Sequence, residues 1–267
     1  MGKLFPFLVA LALPAIPGIA LADPHPLPFS YSYATLPRGS SELEQYVDVT
    51  PVRAFDLTGA STTTQRSVLI TEMEYGLTDR LELGIYLQFS NNPGLGTGDA
   101  PLHLDGLKQR LRYRFAEAGA WPVNVGVYGE VAELSNEIEL EAKLLLDRRI
   151  GRWLLIANLW GEREFYYGGR REWVVNPTAG ASFEIMPAVR VGVEYWMRGE
   201  FGASLPPGVQ SFNGAFHHYV GPAFLFQGTR VWLAVAPYVR LDAWDRAGQI
   251  GDQFGRIWIR TIIGIDI

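Results

Sequence analysis

The sequence predicts an all-β protein, a closed antiparallel transmembrane β-barrel of about 12 strands formed by residues 23-267 behind a leader at 1-22. Three observations lead there. Apolar residues recur at every second position almost throughout, which is the period of a strand. After the leader, no stretch approaches the ~20 consecutive apolar residues that a membrane helix needs, because charged or amide side chains interrupt every run. The segments are near the ~10 residues of a tilted membrane strand, and their connectors alternate between compact turns and longer polar loops.

The leader reads as a cleaved signal peptide. Lys3 gives a positive start, Leu4 to Leu21 is apolar, and Ala20-Leu21-Ala22 is a small-x-small cleavage site before Asp23. Pro6, Pro14 and Pro17 argue against a membrane helix there, since each removes a rung of its hydrogen-bond ladder.

The strands follow in order. Glu42 to Val49 and Ser67 to Gly76 open the series, with Pro51 to Arg66 read as a loop between them. In Arg80 to Ser90, Leu81, Leu83, Ile85, Leu87 and Phe89 share one face, opposite Glu82, Tyr86, Gln88 and Ser90. Leu107 to Phe115 sets Leu107, Leu111, Tyr113 and Phe115 against a cation ladder, Lys108, Arg110, Arg112 and Arg114. Pro122 to Leu134 follows, and Asn136 to Asp147 sets Ile138, Leu140, Ala142, Leu144 and Leu146 against Glu137, Glu139, Glu141 and Lys143. Arg152 to Phe165, Glu172 to Ile185, Val189 to Arg198, His218 to Gln227, Thr229 to Leu241 and Arg256 to Ile267 complete the set. The even count places both termini on the side of the short turns, and the long loops are expected at Pro51 to Arg66, Asn91 to Asp105, Tyr166 to Arg171, Gly202 to Asn213 and Ala243 to Gln253.

Alternation alone does not say which face points inward. The polar faces carry Gly, Asn and Tyr as well as charge, which suits a crowded wet lumen. Aromatics gather where interface girdles form: Tyr75, Phe115, Trp121 and Trp153 on the turn side, and Phe89, Phe165, Tyr166, Trp173, Phe201 and Trp244 on the loop side. Apolar rows are therefore expected to meet lipid and charged rows the lumen.

Composition excludes several classes of function. Cysteine is absent, so neither disulfides nor thiolate chemistry is available. The net charge of -5 with no basic block argues against nucleic acid. No phosphate loop, dinucleotide signature or nucleophile elbow occurs, and the flanking prolines Pro93 and Pro101 make Gly94-Leu95-Gly96-Thr97-Gly98 read as a loop. The four histidines, at 25, 103, 217 and 218, lack ligand spacing, so neither metal nor cofactor is expected. Ser211, Asn213, His217 and His218 cluster, but adjacent histidines point to opposite faces and no serine shares one, which argues against an enzyme.

The inward charges are the candidate functional residues, because ionisable groups in a membrane protein persist where they face water or a partner. They segregate by strand: Glu72, Glu74 and Glu82 precede the ladder of Lys108, Arg110, Arg112 and Arg114, and Glu130, Glu137, Glu139 and Glu141 follow it. One reading is a porin-like channel for passive passage of small polar, anionic or aromatic solutes, with the cation ladder as its selectivity wall. The other is a non-conducting structural or adhesion barrel that works through its outer loops, the charges pairing laterally to fill the lumen.

Leu36-Pro37-Arg38-Gly39, Glu42-Leu43-Glu44-Gln45-Tyr46 and Glu74-Tyr75-Gly76-Leu77-Thr78-Asp79-Arg80-Leu81-Glu82 resemble the start of a family of uncharacterised Gram-negative outer-membrane barrels, similar to the porin-like proteins of the phenol meta-degradation pathway. The resemblance is strongest over about the first third. It implies an outer-membrane location, with membrane lipid, the barrel assembly machinery and a small solute as partners. Such barrels commonly end in an aromatic residue read by that machinery, whereas this chain ends Gly264-Ile265-Asp266-Ile267.

Overall fold

The computed structural model describes residues 24–91, 101–201, 216–242 and 254–267. The leader, the glycine-rich stretch at 94–98, Ser211, Asn213 and Trp244 lie outside the described residues.

Each expected segment forms a wall strand. β1 (Ser41–Phe55), β2 (Ser61–Thr78), β3 (Leu81–Asn91), β4 (His103–Arg114), β5 (Asn124–Leu134), β6 (Glu137–Ile150) and β7 (Trp153–Tyr166) run as antiparallel neighbours. The eighth wall strand is split into β8 (Arg171–Val175) and β9 (Thr178–Met186), both pairing with β7 and β10 (Val189–Phe201). The split falls at Asn176-Pro177, where proline has no N–H for the ladder. β11 (Phe216–Gln227), β12 (Val231–Arg240) and β13 (Ile257–Asp266) complete the ring, which closes by pairing β13 with β1 from Glu42–Asp266 to Val49–Ile259. Closure leaves no unpaired edge in a medium that offers no hydrogen bonds.

The wall is inside-out relative to a soluble barrel. Leu43, Met73, Ile85, Leu87, Leu111 and Phe224 are exposed on its outer face, while Glu44, Glu72, Glu82, Arg112, Glu164 and Glu194 are buried on the inner one. That arrangement suits lipid outside, where a charged side chain at mid-depth costs about 2–4 kcal/mol. Tyr75, Phe115, Trp121 and Trp153 are exposed at the short-turn end and Trp173 and Phe201 at the other, as girdles require. Tyr166 departs from that expectation. It shares the inward face of Glu164 two residues before it, and its hydroxyl donates to that carboxylate at 2.8 Å.

Two expected long loops are short. Pro51 to Arg66 is mostly strand, since β1 and β2 stay paired from Pro51–Gln65 to Phe55–Ser61 and leave only 56–60 as a connector. Once a hairpin rises beyond the lipid it no longer needs an apolar face, so Thr62-Thr63-Thr64-Gln65 keeps its ladder without the alternation that would announce it. Tyr166 to Arg171 likewise reduces to a turn at 167–170, in which Gly169 takes a positive φ of 89°.

Residues 24–36 enter the barrel rather than trailing from it. The chain rises from Leu36 at the short-turn end to a bend in which Ser30 N donates to Leu27 O (3.1 Å), and then returns to His25. Leu27, Phe29, Tyr31, Tyr33 and Leu36 are all buried.

Candidate functional site: the lumen and its N-terminal segment

The segment is held by its own backbone. Phe29 N donates to Glu194 on β10 (3.0 Å), Tyr31 N to Asn158 on β7 (2.7 Å), Tyr33 N to Asp147 on β6 (3.0 Å) and Leu36 N to Glu82 on β3 (2.6 Å). The Asn158 amide also donates back to Tyr31 O at 2.9 Å, so one side chain copies a strand pairing. A buried hydrogen bond to a charged acceptor contributes about 1.5–3 kcal/mol, and without these acceptors the buried N–H groups would be orphaned.

Side chains add shape. Leu27 sits on bare backbone of β9 and β10: a Cβ added to Gly180 or Gly192 would lie 2.6 Å or 3.0 Å from the leucine methyls. Phe29 stacks on Trp196 (4.5 Å between centroids) and meets Tyr238 and Trp258 edge-on at 5.2 Å and 6.0 Å. The Arg260 guanidinium lies 3.6 Å over the same ring and is fixed by two bonds to Asp48, of 2.7 Å and 2.6 Å. Trp196 in turn stacks flat on Tyr219 at 4.2 Å. Within this aromatic cluster the indole N–H groups of Trp196 and Trp258 are buried and find no acceptor.

On the near wall, carboxylates and guanidiniums interlock. Arg110 is bonded to Glu72, Glu74 and Glu82, while Arg112 reaches Glu82 at 2.7 Å and Glu74 at 3.7 Å. Gly84, opposite Arg110 in the ladder, leaves room for it: a Cβ there would meet Arg110 Nε at 2.6 Å. Glu44 accepts from the Tyr46 hydroxyl, and Glu42 from the Trp232 indole. We refer to these residues as the basal lattice.

Nearer the long loops the balance turns acidic. The register sets Glu130 opposite Glu141, Glu141 opposite Glu162 and Glu139 opposite Glu164. Like charges directly opposite are unfavourable, and three cations relieve them. Lys108 bridges Glu130 (3.4 Å) and Glu139 (3.3 Å), Lys143 pairs with Glu141 (2.8 Å), and Arg198 pairs with Glu164 (2.5 Å) and Glu162 (3.6 Å). Lys143 is also caged by Trp160, Tyr128 and Tyr31, with its ammonium 3.8 Å, 4.0 Å and 4.1 Å from their ring centroids.

The structure places all eleven candidate charges on the lumen side, from Glu72 on β2 to Glu141 on β6. It joins Glu72, Glu74, Glu82, Arg110 and Arg112 into one group and Lys108, Glu130, Glu139 and Glu141 into another. Glu137 lies beside the second group, and Arg114 sits at the turn end, where it binds Glu117 at 2.6 Å. His217 faces Asp242 on the lumen side at 3.5 Å, whereas Tyr195 and His218 meet at 2.7 Å across β10 and β11.

Sequence patterning alone does not single out the segment. Its signal is Phe29-Ser30-Tyr31-Ser32-Tyr33, an aromatic–serine alternation ahead of the first strand. Glu194, Asn158 and Asp147 were equally unmarked, because each looks like an ordinary lumen polar group until the segment is in place.

Solved structures share this fold. A COG4313 outer membrane channel from Pseudomonas putida F1 superposes with a TM-score of 0.64 at 12% identity, covering 88% of this chain and 98% of that one. The NanC porin superposes with a TM-score of 0.54 at 8% identity, covering 84% and 98%. No protein-family model matches the sequence, and neither does any curated protein. The chain therefore shares the barrel fold of these outer-membrane channels, and its own exposure pattern puts large apolar side chains on the outer face.

Proposed function

We propose that this protein is a gated porin-like channel of the outer membrane, in which residues 24–36 close the lumen and must shift for a solute to pass. The observation that carries the reading is the seating of that segment on side chains from β3, β6, β7 and β10. Those contacts are hydrogen bonds, cation–π contacts and apolar fits, which can be broken and remade without covalent change.

The solute we assign is a small aromatic molecule with a hydrogen-bond acceptor. What supports it is the cluster of Phe29, Trp196, Tyr219 and Trp258, its two unpartnered indole N–H donors and the Arg260 guanidinium beside them. Ring faces recognise aromatic or cationic groups, and an indole N–H accepts only a lone-pair bearer as partner. The charge lattice serves as the wall of the path: Arg110 and Arg112 are buried among carboxylates, so the partly exposed Lys108, Glu139 and Arg198, at 16%, 14% and 22%, are the groups assigned to meet the solute.

A filled lumen is also what a non-conducting structural barrel has, and conductance separates the two. Planar-bilayer recordings are expected to show small, infrequent steps for the whole protein, and benzoate is expected to alter them and to quench tryptophan emission less in Trp196→Phe. No steps under any condition, with and without residues 24–36, would remove the channel reading in favour of the structural one.

A further inference from the structure

We propose that His25, Glu44 and Glu74 form a binding site for one divalent transition-metal ion of the zinc class, which ties the N-terminal segment to the barrel wall. The inference does not depend on whether the barrel conducts. Its three side chains come from separate parts of the chain: His25 from the segment, Glu44 from β1 and Glu74 from β2.

Geometry is the first support. One ligand atom from each residue lies within 4.8 Å of the other two, and the residues are 3%, 0% and 0% exposed. His25 Nε2 is 3.5 Å from Glu44 Oε1. Two ligands of a tetrahedral zinc, each about 2.1 Å from the ion, are about 3.4 Å apart. The imidazole plane is fixed from both sides, stacked on Trp232 at 5.6 Å and edge-on to Tyr31 at 5.0 Å.

The carboxylate oxygens supply a second, independent support. Glu44 Oε2 accepts from Tyr46 and Glu74 Oε1 from Arg110, but Glu44 Oε1 and Glu74 Oε2 are buried with no hydrogen-bond donor. Buried polar atoms are nearly always paired, so an orphaned oxygen on each of two carboxylates that converge on one imidazole points to a cation among the three residues. The competing cations are a protonated His25, whose Nε2 is 3.5 Å from Glu44 Oε1, and Arg112, which is 3.7 Å from Glu74 Oε2 but has its guanidinium turned to Glu82 at 2.7 Å.

Charge is the third. Among the described residues the basal lattice packs four carboxylates, those of Glu44, Glu72, Glu74 and Glu82, against the guanidiniums of Arg110 and Arg112, all at 1% exposure or less, with His25 beside Glu44 and with the Glu42 carboxylate held by the Trp232 indole. Away from water such an excess is costly, and a divalent ion offsets most of it. One imidazole with two carboxylates is a borderline-hard donor set, which suits zinc better than calcium or magnesium, whose sites are built from oxygen alone. The site also explains why an otherwise unremarkable histidine near the start of the segment is buried against the wall.

The test is calorimetric titration of the detergent-purified, chelator-stripped protein with Zn²⁺, with bound metal counted by elemental analysis after gel filtration. The expected result is one ion per chain, with affinity lowered about tenfold or more in His25→Ala. Glu74→Gln is expected to do the same but also touches the lattice, so His25→Ala, which leaves the wall intact, is the deciding variant, its folding checked by heat-modifiable mobility on gels. No binding to the wild-type protein would overturn the proposal. Binding unchanged in His25→Ala would also overturn it, by placing the ion elsewhere, for instance at Glu137, Glu139 and Glu164, whose oxygens also converge within 4.8 Å.

Discussion

Between β1 and β6 the inner wall is mostly charge set against charge, whereas between β9 and β13 glycine and aromatic surface, with Glu194 and Arg260 among it, is set against the N-terminal segment. The first region carries its own counter-charges: Arg110 and Arg112 are bonded to carboxylates on β2 and β3, within the wall. The second is completed by a guest, because Gly180 and Gly192 lie bare unless Leu27 covers them and Glu194 is used by Phe29 N. A wall tied by its own ion pairs can stand when the segment leaves, while a wall that is covered by a guest favours the guest's return. That difference is what makes a removable closure physically reasonable.

Breaking the ion-paired wall has the largest expected effect on stability. Arg110→Met leaves Glu72, Glu74 and Glu82 without their shared cation, and removing one partner of a buried ionic group typically costs about 3–5 kcal/mol. Urea unfolding in lipid vesicles measures it. Leu87→Arg probes the opposite face of the same region, since Leu87 is 45% exposed on the lipid side near the middle of β3. It is expected to cost about 2–4 kcal/mol in the same assay, whereas a soluble barrel would tolerate an arginine there.

The guest-dependent region responds differently. Leu27→Ala takes away the side chain that covers Gly180 and Gly192, and emptying a buried leucine site typically costs about 2–5 kcal/mol. Because the segment is the part free to yield, the change is expected to appear as higher conductance and faster proteolysis near residue 30, with the unfolding of the barrel little altered. The smallest effect belongs to the turn between β4 and β5. Hydrogen bonds from Arg114 and Arg80 hold the Glu117 carboxyl below the ordinary glutamate range. Its contribution is therefore present above that range and fades as pH falls through it, and the loss should vanish in Glu117→Gln.

Legibility followed the same division. The twelve wall strands could be read because lipid on one side and water or charge on the other impose a period of two wherever the chain crosses the membrane. Thr62-Thr63-Thr64-Gln65 escaped because that requirement ends at the membrane surface. The charges could be read as inward rows, yet not as pairs, since nothing local says that the register opposes Glu139 to Glu164 or brings Arg110 between three acids. Residues 24–36 were the hardest to anticipate. Their partners lie on β3, β6, β7 and β10, more than 40 residues away in the chain, and a short extended stretch of Ser and Tyr carries the same pattern whether it lies in a lumen or in water.

The central claim, a complete wall closed by a removable segment, is tested most directly by single-channel conductance of the protein lacking residues 24–36 beside the intact protein, in the same planar bilayers. The account predicts that the truncated barrel still folds, shows heat-modifiable mobility and conducts in steps at least severalfold larger than the intact one. Equal conductance from a truncated barrel that has folded would contradict it, because the lumen would then be closed by the wall itself.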